Sequence, residues 1–130
     1  MAKRTRKKVA PGKTGLSVAD FRRIALSMPE AEESAHMGHP DFRVRKKIFA
    51  TIWPDESWGM VKLTPEQQRA FVDTHPAMFA PVKGGWGLRG ATQVRLEAAD
   101  EATLRHALYT AWRGTAPKAL ADPATPPRRT

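Results

Sequence analysis

Cysteine is absent from this chain of 130 residues. That excludes disulfide staples, cysteine-ligated zinc or iron–sulfur sites and a thiol nucleophile. No apolar run approaches the roughly 20 residues of a membrane span. The N-terminal stretch MAKRTRKKVAPGKTG has no apolar segment behind its charges, so it does not read as a secretory signal. A soluble cytoplasmic protein without membrane contact is expected. No serine sits in a G-x-S-x-G elbow. GGWGLRG lacks the G-K-[ST] of a phosphate-binding loop and reads as an irregular turn. No enzyme and no cofactor is expected.

Positive charge is what the chain has in excess, with a formal net charge of +9. Its location matters more than its size. Residues 1–16 hold Lys3, Arg4, Arg6, Lys7, Lys8 and Lys13 and no acid, while residues 17–117 are close to neutral. Residues 118–130 add Lys118, Arg128 and Arg129 against Asp122. A polyanion partner therefore belongs first to the tail. Residues 1–16 have almost no apolar content and read as a disordered basic tail. Residues 118–130 are proline-rich and read as a second loose tail. Residues 17–117 remain as one domain.

The domain opens with a well-marked helix. Ser17 is a suitable N-cap, Asp20 favours the positive helix start, and Leu16 with Phe21 forms a staple. Val18, Phe21, Ile24, Ala25 and Met28 share a face, and Pro29 ends the helix. Strand patterns follow at EESAHM, DFRVR, KIFATIW and WGMVKL. In DFRVR, Phe42 and Val44 alternate with Arg43 and Arg45, with Lys46 and Lys47 read as the turn. KIFATIW is apolar on both faces, as in a central strand. Short connections favour antiparallel pairing. Thr64, Pro65 and Gln67 form a capping box for a second helix. In ATQVRLE, Thr92, Val94 and Leu96 face one way. DEATLRHALYTAWRG is a third helix, with Leu104, Ala107, Leu108, Ala111 and Trp112 on one stripe and Gly114 placed as its stop. The pattern is α+β, with helices packed on one face of an antiparallel sheet.

Two clusters carry candidate chemistry. His36, His39 and Asp41 are suitable metal-ligand types. Gly38 and Pro40 break any helix there, and His75 and His106 lie in other segments. The plainer reading is that His39 and Asp41 hydrogen-bond the backbone around a strand-opening turn, and no metal is expected. The second cluster is basic. Arg43, Arg45, Lys46 and Lys47 make a hairpin that suits phosphate contact. Trp86 with Arg89 suits stacking or groove contact. The tail residues Lys3, Arg4, Arg6, Lys7 and Lys8 would anchor to phosphates irrespective of sequence.

HMGHPDFRVRKKIFATIW, VKLTPEQQRAF, HPAMFAPVKGGWGLRGATQVRL and DEATLRHALYTAWR together resemble the MmcQ/YjbR family over residues 17–117. The resemblance implies a frataxin-like fold and DNA binding. The chain departs from the family where Arg45 and Lys46 stand in place of a turn glycine, and where Ala91 replaces an aromatic residue. Arg22 and Arg23 oppose Asp20 on the first helix, so the acidic iron surface of frataxin is not implied. The reading is a monomeric, non-enzymatic DNA-binding protein. A module for a protein or small ligand, working through the near-neutral body, is the alternative.

Overall fold

A computed structural model describes residues 15–36, 38–53 and 57–121. The first helix, α1 (Val18–Leu26), begins where expected. The Ser17 hydroxyl accepts the Asp20 N–H at 3.0 Å, and the Ser17 N–H donates to the Asp20 carboxylate at 2.8 Å. That reciprocal capping box satisfies two otherwise orphaned donors. Four strands follow: β1 (Ala31–His36), β2 (His39–Val44), β3 (Lys47–Trp53) and β4 (Trp58–Lys62). Helix α2 (Pro65–Thr74) carries the Thr64–Gln67 capping box and proline in its first turn. Then come β5 (Phe79–Pro81), a single turn α3 (Gly85–Leu88), β6 (Ala91–Arg95), α4 (Glu101–Thr115) and α5 (Lys118–Ala121).

The strands form one antiparallel sheet in the order β1-β2-β3-β4-β6-β5. Alternation sends Phe42, Val44, Ala50, Ile52, Val61, Val94 and Phe79 to one face, where all are buried. Helices α1 and α4 pack over β3 on that face, and α2 lies over β5 and β6. Gly59 lets α1 come close: a side chain there would sit 2.7 Å from the Phe21 ring. Phe21 in turn meets Phe42 at 5.9 Å between ring centres. One contiguous core results, in agreement with the α+β expectation of helices on one sheet face.

A bulge in β3 corrects a simple alternation. Phe42 pairs with Ala50 but Arg43 pairs with Ile48, leaving one extra residue in β3. Phe49 thereby joins the core.

The boundaries differ from expectation in five places. The β2–β3 turn is Arg45–Lys46, both with positive φ (51° and 73°), and Lys47 opens β3. GGWGLRG contains the helical turn α3 instead of being wholly irregular. Gly114 does not stop α4, which runs to Thr115. Pro117 supplies the stop, because it forces Ala116 into an extended conformation (ψ 154°). At the two ends, Gly15 and Leu16 donate to Ala99 and Leu96 at 2.7 and 2.8 Å. Lys118–Ala121, expected to be loose, forms a helical turn with Ala121 buried. No helix among the described residues is long and apolar enough to cross a membrane.

Candidate nucleic-acid interface

Strand direction decides which connections meet. Val44 pairs with Lys47, Lys62 with Ala91, and Thr92 with Pro81. The β2–β3 turn, the end of β4 and the β5–β6 connection therefore lie at the same end of the sheet. Reading across from β3 to β5, that end presents Arg45, Lys46 and Lys47, then Lys62, then Lys83 and Arg89. Three strand spacings of about 4.8 Å make this row roughly 14 Å wide. The acids nearby are Glu30, which bonds Arg45, and Glu66 in the first turn of α2. Lys46, Lys47, Lys62, Lys83 and Arg89 form no salt bridge among the described residues.

The Arg45–Lys46 turn suits a two-residue hairpin, since two positive φ values match the twist of the strands it joins. Non-glycine residues enter that region at a cost. Glu30 braces the turn by accepting from Arg45 Nε and, at 3.1 Å, from Nη2. That hydrogen bonding holds the exposed Glu30 carboxyl below its ordinary range.

The β5–β6 connection is held by its glycines. A side chain at Gly87 would collide with the Val82 carbonyl, and one at Gly90 (φ +113°) with the Leu63 carbonyl. The Gln68 amide donates to the Gly87 and Ala91 carbonyls, each at 2.9 Å. The tight segment pushes its apolar side chains outward: Trp86 is 68% exposed and Leu88 82% exposed. The Arg89 guanidinium lies 6.0 Å from the Trp86 ring centre, at the outer limit of a cation–π contact.

The arginines expected to share a face are separated. Arg43 lies on the sheet face away from the helices, while Arg45 belongs to the turn. Arg43 donates Nε to one Asp41 oxygen at 2.8 Å and Nη2 to the other at 3.1 Å. Asp41 is fully buried, so its carboxylate holds a cation and not the backbone of a turn. Of the His36, His39 and Asp41 cluster, Asp41 is engaged by Arg43 and the His36 side chain lies outside what the structure describes; among the described residues no group of three His, Asp or Glu is suited to a metal. His39 instead packs against Trp53 at 4.9 Å, and Trp53 stacks on Trp58 at 4.3 Å, at the opposite end of the sheet. His106 and His75 meet Phe71 and Phe79, 5.1 and 6.1 Å away.

Lys3, Arg4, Arg6, Lys7 and Lys8 lie outside the described residues. The hairpin lysines and the Trp86–Arg89 pair, read separately from sequence, come together at one end. Sequence reading missed Lys62, Lys83 and Leu88. The first two are isolated lysines with no local signal, and only strand pairing brings them into the row. The exposure of Leu88 follows from the close approach of Gly87 to Val82, which the repeated glycines hinted at.

Residues 26–114 match the sequence model of the family described as YjbR. Among solved structures, the chain resembles the crystal structure of Deinococcus radiodurans protein DR2400, which carries the domain DUF419. The TM-score is 0.63 at 18% identity, covering 75% of this chain and 76% of that one. At this identity the likeness speaks for the fold alone. None of the curated proteins matches the chain. With the family pattern running through β1 to α4, the chain belongs to the YjbR family.

Proposed function

We propose that the protein is a non-enzymatic DNA-binding protein whose folded domain contacts phosphates through the basic end of its sheet. The observation that carries this reading is the gathering of Lys46, Lys47, Lys62, Lys83 and Arg89 on one row without carboxylate partners among the described residues. A row of about 14 Å spans about four base pairs of duplex at 3.4 Å each. Lysine ammonium groups on short turns act as point charges toward phosphate and carry no base information. The tail residues Lys3, Arg4, Arg6, Lys7 and Lys8 add a sequence-independent anchor.

Arg43 has a different role in this reading. Its guanidinium is fixed to a buried carboxylate and braces the sheet. Arg45 braces the turn through Glu30 and lends its charge to the row without a free fork. The test is duplex affinity against salt concentration for the full chain and for K46A/K47A/K83A/R89A. For every phosphate that a variant no longer neutralises, the slope of log K against log salt falls in magnitude by about 0.9. A slope reduced by two or more supports the interface, and an unchanged slope removes the folded domain from the binding.

A further inference from the structure

The phosphate row leaves one feature unexplained. Leu88 is the most exposed large hydrophobic side chain among the described residues, and Trp86 the next. Both lie on one helical turn at the basic end of the sheet. Leu88 has no polar atom and cannot bond a phosphate. Soluble proteins seldom hold two such side chains in water on a rigid segment without a use for them.

The segment is rigid by construction. Gly87 packs against the Val82 backbone and Gly90 against Leu63, where no larger residue fits. The Gln68 side chain ties the end of the turn to the start of β6, donating to the Gly87 and Ala91 carbonyls. Backbone bonds close it: Leu88 to Gly84 at 3.2 Å and Arg89 to Gly85 at 3.2 Å. Cations flank the apolar pair, with Lys83 before it and Arg89 after it, and Lys62 ends the adjacent strand.

We infer that Trp86 and Leu88 form an apolar wedge that enters a base step of duplex DNA and partly unstacks it. The inference rests on the DNA-binding reading above and names the form of DNA it takes. Its chemistry is general: an apolar side chain offered from a rigid tip between cations replaces the stacking it breaks, while the cations hold the phosphates on either side. Flexible pyrimidine–purine steps unstack most readily, so affinity rises where such a step lies under the tip. A kink follows, and it brings the flanking phosphates toward Lys46 and Lys47 at the far side of the row.

Both side chains are exposed, so L88A and W86A keep the fold, as circular dichroism checks directly. The experiment uses the full chain and a 20-base-pair duplex carrying 2-aminopurine at a central TA step, with donor and acceptor dyes at its ends. The wild-type chain raises 2-aminopurine fluorescence and shortens the dye separation. L88A and W86A each weaken affinity by about 5- to 50-fold and abolish the fluorescence rise, with the salt slope kept. Binding with no fluorescence rise and no bend overturns the wedge while leaving phosphate binding in place. So does equal or tighter binding to the matching single strand, which assigns Trp86 to stacking. If K46A/K47A/K83A/R89A keeps full affinity and slope, the reading of the folded domain as a DNA surface fails, and the wedge with it. Loss of duplex binding together with binding to anionic vesicles that depends on Trp86 and Leu88 overturns both.

Discussion

Arg43 grips Asp41 through two parallel hydrogen bonds, Nε to Oδ1 at 2.8 Å and Nη2 to Oδ2 at 3.1 Å. The carboxylate is fully buried and the arginine side chain 30% exposed. A buried carboxylate that loses its partner is strongly destabilising, and the partial exposure of Arg43 moderates the effect. R43M is expected to lower unfolding free energy by about 2 kcal/mol, read by urea denaturation. R43M/D41L removes both charges and recovers most of that loss. The salt slope of DNA binding stays within experimental error in R43M, because Arg43 has no free fork for phosphate.

Gly59 controls the approach of α1 to the sheet. A methyl group at Gly59 would lie 2.7 Å from Phe21 Cε2 and 3.0 Å from the Thr51 carbonyl. G59A therefore forces Phe21 away from Phe42 and costs about 1–3 kcal/mol of stability. The thermal midpoint falls by several degrees, with DNA binding at low temperature unchanged. An unaltered midpoint would show that α1 has slack at this crossing.

Carboxylates set the acid limit of stability. The backbone N–H of Thr103 holds the Asp100 carboxyl below its ordinary range, and the Ser17 N–H does the same for Asp20. The Arg23 and then the Arg105 guanidinium lower Glu101, which ties α1 to α4. A carboxyl lowered in the folded state contributes stability above its unfolded value of about 4, and loses it as pH falls through the folded value. Stability is thus expected to be flat from about pH 5 to 8 and to fall steadily below about pH 4. D100A flattens that acid slope while lowering stability near neutrality by about 1 kcal/mol.

The hairpin turn trades stability for charge. Lys46 sits at φ 73°, where glycine carries no steric penalty. K46G is expected to raise stability by up to about 1 kcal/mol. Duplex affinity drops, and the salt slope decreases by about 0.9 if Lys46 contacts one phosphate. A lower midpoint in K46G would mean that the lysine contributes to packing at the turn.

Local signals made much of the fold legible. The capping boxes at Ser17 and Thr64 marked helix starts, and the alternation of Phe42 and Val44 marked the helix-facing side of the sheet. The bulge at Phe49 was not legible, because a strand apolar on both faces gives no period to break. Gly114 misled because a helix tolerates one exposed glycine when a proline three residues on supplies a firmer stop. Within the site, a run of basic residues at Arg43 to Lys47 hid two different environments. Arg43 found the carboxylate of Asp41 two residues back on the same strand, a same-face spacing that is local but is hidden by the basic run, and Arg45 found Glu30 fifteen residues away, a pairing that leaves no trace in local spacing. Lys62 and Lys83 joined the row only through strand order.

The most direct measurement is duplex affinity between 50 mM and 300 mM salt for three full-length proteins. These are the wild-type chain, K46A/K47A/K83A/R89A, and K3Q/R4Q/R6Q/K7Q/K8Q. If the folded domain is a DNA surface, the tail variant still binds with a salt slope of at least two, and the row variant loses at least that much slope. If the tail variant shows no binding and the row variant matches wild type, the basic end of the sheet is not the interface.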